Sequence, residues 1–284
     1  MTATTNTLLL SPEDPPPYQL HDGTDLRWLV VCDHAGHEIP QALGDLGLAA
    51  ADRFDHIGWD IGACEIARHV ARRLNAPFVE GVYSRLVIDC NRYPDAPDAM
   101  PETTDRRAVP GNRQLSAQAR RQRISEIFEA YHGAIASRLD YALEAGVVPT
   151  LLSIHTCTSA LGDAARPWEV GIGWTRDPRI AVPLLEALRS RGDIIVGDNE
   201  PYGLDLGLDF TTPEHALARG LPHVQIEFRQ DLVATVPDCR EWADRFVDCL
   251  LSIADRPELH RLEQYLKGDD GVKGFPAWLA GQGR

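Results

Sequence analysis

Along this chain, short apolar runs alternate with stretches at helical spacing, and several of the apolar runs stop abruptly at polar side chains. Trp28-Leu29-Val30-Val31-Cys32 is unbroken and passes into Asp33-His34-Ala35-Gly36-His37-Glu38, the pattern of a buried strand that ends where a loop begins. Ala63, Ala67, Val70, Ala71 and Leu74 then recur at helical spacing until Asn75 and Pro77 stop them. Asp60 stands at the start of that helix, as an N-cap or as a site residue. Strands are predicted over 77–80 and 82–92, the second ending in Asp89, Asn91 and Arg92. Residues 93–114, rich in Pro, Asp and Gly, read as an active-site loop or lid that carries Asn112.

A helix over 116–144 follows, with Ile124, Ile127, Phe128, Tyr131, Ile135 and Leu139 as its stripe and His132 packed beside it. The next strand, 150–156, again delivers a histidine, His155, to its end. Strands over 169–174, 194–196 and 223–231 alternate with helices over 178–191, 212–219 and 238–254, the short middle helix capped by Thr211 or Thr212. In the strand 223–231, Gln225, Glu227 and Arg229 share one face and Val224, Ile226 and Phe228 the other, so the first face must meet a polar cleft or water. This alternation implies an α/β fold, a largely parallel central sheet with helices on both faces. Residues 1–24 read as a Pro-rich arm, 25–256 as a single catalytic domain and 257–284 as a tail without chemistry.

Composition narrows the function. Of 284 residues, 42 are acidic and 28 basic, a net charge of -14, with lysine only at Lys267 and Lys273. That balance argues against nucleic acid or an anionic membrane as the partner, while arginine clusters remain able to grip a small anion. The six cysteines form no CxxC pair and mostly sit in apolar segments, as free thiols do in a reducing compartment. With no signal peptide and no apolar run of membrane-spanning length, a cytoplasmic protein is expected.

The polar strand ends, pooled, are His34, Asp60, Asp89, Asn91, Arg92, His155, Glu227 and Arg229. Two imidazoles and a carboxylate are a common catalytic zinc set, with the fourth position left to water or substrate. Glu227 would serve as general base, and an Arg with an Asn would hold a substrate carboxylate. These parts describe a metal-dependent amidase or peptidase acting on an acidic or carboxyl-terminal substrate.

The motifs also carry a resemblance. Cys32-Asp33-His34-Ala35-Gly36, His56-Ile57-Gly58-Trp59-Asp60-Ile61-Gly62-Ala63, Ser84 through Arg92, Ser153-Ile154-His155, Gly197 through Tyr202 and Ile226 through Asp231 resemble, in order, the N-formylglutamate amidohydrolase family. The resemblance implies a three-layer α/β/α sandwich around a mixed, largely parallel sheet, similar to zinc carboxypeptidases and the phosphorylase/hydrolase-like fold. It implies one zinc ion held by His34, Asp60 and His155, with Glu38 and His37 as the other candidates for the third ligand. Glu227 and Arg229 would be catalytic, and Arg85, Asn91, Arg92 and Asn112 would contact a small acidic N-acyl amino acid. The implied reaction is hydrolysis of a carbon–nitrogen bond in a linear amide. The alternatives are a metallocarboxypeptidase, another N-acyl amino acid deacylase, or a non-catalytic carboxylate binder of the same fold.

Overall fold

The computed structural model describes residues 8–268 and 270–281. Its core is a seven-stranded sheet built from β1 (Tyr18–His21), β2 (Trp28–Cys32), β3 (Phe78–Gly81), β4 (Thr150–Cys157), β5 (Val170–Gly173), β6 (Val196–Asp198) and β7 (His223–Arg229). The spatial order is β1-β3-β2-β4-β7-β5-β6, parallel except where β1 meets β3 and β7 meets β5. The sheet is therefore mixed and mostly parallel, flanked by helices on both faces.

The period of two decides which side chain goes where. Val30, Leu152, Ile154, Val224, Ile226 and Phe228 pack against α1 (Ala63–Leu74), α4 (Pro178–Ser190) and α5 (Val236–Ile253). Leu29, Val31, Val79 and Leu151 face the opposite core, to which α3 (Glu129–Glu144) gives Tyr131, Ile135 and Leu139, while the polar α2 (Ala117–Arg123) precedes it in the chain. A π turn at Ile124–Phe128 joins α2 to α3, and Ser116 caps α2 by accepting from the Ala119 amide. Beyond the hydrophobic half of this second face, Ser153 and His155 on β4 stand beside Gln225 and Glu227 on β7. All four are buried at the carboxyl ends of parallel strands, where ligands collect in open α/β sheets.

Several local expectations are corrected. Of the strand expected over 82–92 the described residues keep isolated bridges alone, Tyr83 to Glu38 and Arg92 to Asp209; residues 84–90 turn tightly under the core. Leu86, Val87 and Ile88 are apolar because they are buried in that loop. The loop's carbonyls are satisfied by side chains: Asn112 donates to Leu86 O at 2.8 Å and Arg123 to Val87 O at 2.8 Å. The short helix Thr211–His215 has Phe210 at its N-cap position and no side-chain cap; the Thr211 hydroxyl donates instead to Asp33. Within the arm read over 1–24, β1 pairs with β3, while residues 1–7 lie outside the description. In the tail read over 257–284, Phe275 and Trp278 are buried against Phe128 and Phe210; residues 269 and 282–284 lie outside the description.

All six cysteines are free. Among the described residues no helix is long and apolar enough to cross a membrane.

Candidate metal and hydrolase site

The site begins with the turn after β2. A Cβ at Gly36 would lie 2.0 Å from the Val82 carbonyl oxygen, so only glycine lets the chain double back against the segment leaving β3. This turn holds His34 over the sheet, 3 % exposed, with its ring edge-on to His155 at 5.1 Å. Asp60, on the segment before α1, comes between them. The N-cap position of α1 is Gly62, in left-handed backbone, so Asp60 caps no helix. Its Oδ2 accepts from His155 Nδ1 at 3.1 Å and from the Thr156 amide at 3.3 Å, and Oδ1 accepts from Arg85.

Each histidine is steered from its far side. His34 Nε2 donates to Asp89 Oδ1 at 2.7 Å, which leaves Nδ1 buried, without a hydrogen bond, 3.4 Å from Asp60 Oδ2. His155 Nε2 lies 3.0 Å from Ser153 Oγ and 3.4 Å from Asp33 Oδ2. Both Nδ1 atoms thus converge on one Asp60 oxygen, while the Asp89 carboxylate holds the far nitrogen of His34 and the Ser153 hydroxyl, with Asp33 behind it, that of His155, the kind of support that orients metal-ligating histidines. Donor atoms of His34, Asp60 and His155 lie within 4.8 Å of one another, making a group among the described residues that could hold a metal ion. Ligands each about 2.1 Å from a tetrahedral zinc stand about 3.4 Å apart, so the Nδ1–Oδ2 separations suit the ion. His37 instead packs edge-on to Phe54 and Trp59, and Glu38 faces Arg53 at 3.8 Å.

The buried imidazoles and carboxylates of the group shift one another's protonation. Burial opposes protonation of His34 and His155, yet Asp89 and Asp60 raise His34, and Asp33 and Asp60 raise His155 well above its usual range. Burial pushes Asp33 up, but the His155 hydrogen bond and charge outweigh it and hold the group at about 2. Asp60 is likewise raised by burial but held well below the carboxylate range by Arg85 and His34.

Glu227 sits beside His155, its direct neighbour in the β4–β7 register. Its carboxyl is 5 % exposed, and burial pushes it up to about 7 against the pull of His155. Among the described residues its side-chain hydrogen-bond partner is Gln225, whose Nε2 donates at 3.4 Å. A cleft of about 400 Å³ opens over these groups, lined also by Arg85, Asn91, Arg92, Arg166 and Tyr202.

The remaining expected residues divide. Arg85 and Arg92 line the cleft, Arg92 bonded to Asp98 at 3.0 Å and to Asp209 at 3.0 Å. Asn91 lines it too, but its amide is engaged: Nδ2 donates to Asp209, and Oδ1 accepts from the Phe210 and Thr211 amides. Asn112 does not reach the cleft, because its amide is spent on the carbonyls of Leu86 and Pro101. Arg229 is outside as well, paired with Asp231 and donating to the carbonyls of Arg166 and Pro167. Both residues thus stand outside the lining of the cleft, bonded to main-chain carbonyls. Asp33 and Ser153, which steer His155, were missed. Their signal was position: Asp33 is an acid at the last step of a buried strand, and Ser153 shares the face of His155.

Among curated protein sequences, none matches the chain. The solved structure of a gene product from Agrobacterium tumefaciens superposes with a TM-score of 0.83 at 31% identity, over 88% of this chain and 99% of that one. The N-formylglutamate amidohydrolase from Ralstonia eutropha superposes with a TM-score of 0.64 at 20% identity, over 85% of this chain and 98% of that one, a likeness of fold. The description that matches residues 26–234 is that of N-formylglutamate amidohydrolase. With most of its length matched, the strand-end histidines included, the chain belongs to the N-formylglutamate amidohydrolase family.

Proposed function

We propose that this protein is a zinc-dependent amidohydrolase that cleaves N-formylglutamate, or a closely related N-acyl amino acid, to the free acid and the amino acid. The observation that carries the reading is the meeting of three donor atoms, His34 Nδ1, Asp60 Oδ2 and His155 Nδ1, next to a buried carboxylate that titrates near neutrality. When bound there, zinc supplies Lewis acidity, lowering the pKa of a water and polarising an amide carbonyl.

The chain's own groups supply the rest. Glu227, at about 7, accepts a proton from the attacking water and returns it to the leaving nitrogen, since a group matched to ambient pH serves both as base and as acid. Arg85 keeps Asp60 ionised, and its Nε–H, buried without a partner, offers a donor to the oxygen of the tetrahedral centre. Arg92 has donors beyond those given to Asp98 and Asp209, and it offers them to a substrate carboxylate from the cleft wall. Asn91 holds the Asp209 segment that positions Arg92.

The test is a substrate panel with zinc-loaded protein: N-formyl and N-acetyl amino acids and carboxyl-terminal dipeptides. Release of formate and glutamate from N-formylglutamate is expected. Cleavage of peptides alone would replace this reading with a carboxypeptidase, and zinc binding without any turnover would replace it with a carboxylate-binding protein.

A further inference from the structure

Three guanidinium groups line the cleft, and they differ in what neutralises them. Arg85 faces Asp60, and Arg92 lies between Asp98 and Asp209. Arg166 is held by neutral groups. Its Nη1 donates to the Thr158 carbonyl at 3.2 Å and hydroxyl at 3.0 Å, Nη2 donates to the Tyr202 hydroxyl, and the guanidinium carbon stands 4.7 Å from the centre of the Tyr202 ring. The residue is 8 % exposed, and no carboxylate pairs with it among the described residues. A cation so withdrawn from water is costly unless an anion shares its surroundings.

The contacts also leave a defined edge. With Nη1 and one Nη2 proton engaged, the Nε–H and the other Nη2–H have no partner among the described residues, and they are the donors left for a carboxylate. The support is built. The Arg166 amide donates to Ser159 O at 2.9 Å, and its carbonyl accepts from Arg229 at 3.2 Å. Arg85 and Arg92 are tied to the reacting centre, one through Asp60 and the other beside Asp89, which holds His34. Arg166 touches none of the cluster and hangs from Thr158, beyond the end of β4, and from Tyr202, after β6. It therefore serves a charge carried away from the scissile bond.

We propose that Arg166, stacked on Tyr202, is the specificity-determining residue of the cleft and receives the side-chain carboxylate of a dicarboxylic N-acyl amino acid. This rests on the reading of the site as an amidohydrolase of such compounds. Arg92 is left for the carboxylate next to the scissile nitrogen.

The experiment compares kcat and KM for N-formylglutamate and N-formylglutamine, and calorimetric binding of glutarate and butyrate, in zinc-loaded wild type, Arg166→Gln, Arg166→Lys and Tyr202→Leu. Losing a forked, charge-assisted pair should cut the preference for the glutamate compound about 10- to 100-fold in Arg166→Gln, chiefly through KM. Arg166→Lys should restore only part of it, because the charge returns without the fork. Tyr202→Leu, at a half-exposed position, should lower the preference in the same direction by a smaller factor and keeps the test open if the Arg166 variants do not fold. An equal loss on both substrates, or glutarate binding indifferent to Arg166, would overturn the proposal. If wild type cleaves neither substrate yet binds glutarate over butyrate through Arg166, the amidohydrolase reading fails and the subsite stands.

Discussion

Replacing Glu227 with glutamine should move activity and stability in opposite directions. The substitution keeps the shape of the side chain and removes its ability to take a proton. A positioned general base contributes about 10²- to 10⁴-fold, so kcat/KM on the cleaved amide should fall by that factor. Stability follows from linkage. The ordinary value of this group is 4.5 and the folded value is about 7, so the folded chain holds a proton across that interval that the unfolded chain has released. Stability therefore declines as pH rises from 4.5 to 7, and above 7 the full deficit, about 3 kcal/mol at 1.36 kcal/mol per unit, is present. Glutamine has no proton to lose. Metal-free Glu227→Gln should thus be more stable than wild type at pH 8, by up to about 3 kcal/mol, with the gain shrinking toward pH 4.5. Urea titrations of both proteins at pH 5 and pH 8, with chelator, read this directly. A variant that retains most of its activity, or that is less stable than wild type at pH 8, would refute the assignment of Glu227 as a strained, buried base.

Other outcomes follow from the same geometry. Asp89→Asn removes the carboxylate that steers His34 Nε2, and zinc affinity measured by competition with a chelating dye should fall about 10- to 100-fold while the fold persists. Asp60→Asn should reduce bound zinc, whereas a purely thermal defect with full zinc content would return Asp60 to a structural role. His132, buried between His215 and the Cys90 carbonyl, is held down to about 4 by burial, so it is neutral in the folded chain and takes up a proton on unfolding below pH 6.5. Stability is then lost as pH falls from 6.5 toward 4, and unfolding free energies from urea titrations should fall more steeply with pH in wild type than in His132→Gln, by about 1 kcal/mol per pH unit.

What could be read in advance follows from where apolar pattern and chemistry coincide. His34 and His155 were legible because each ends an unbroken buried strand, and Glu227 because the period of two separates it from Val224, Ile226 and Phe228. The segment from Ser84 to Arg92 looked like a strand because burial selects Leu86, Val87 and Ile88 whether the backbone is extended or turned; what turns it is the side-chain bonding of Asn112 and Arg123, from distant positions. For the same reason Asn112 and Arg229 looked functional: polar residues near a site motif carry no sign of whether they serve a ligand or a carbonyl. Arg166 could not be singled out, since what sets it apart is that no carboxylate pairs with it among the described residues, and that depends on where Thr158 and Tyr202 bring it. The tail's Phe275 and Trp278 offered too short an apolar run to announce a core helix.

The central claim is that His34, Asp60 and His155 bind the ion on which amide hydrolysis depends. Its most direct test is the metal content of purified wild type, His34→Ala and His155→Ala after zinc loading and desalting, read beside formate release from N-formylglutamate. The account predicts one zinc per wild-type chain, with chelation abolishing turnover and zinc restoring it, and neither metal nor turnover in either variant. Full zinc content in both histidine variants, or wild-type turnover untouched by exhaustive chelation, would contradict it.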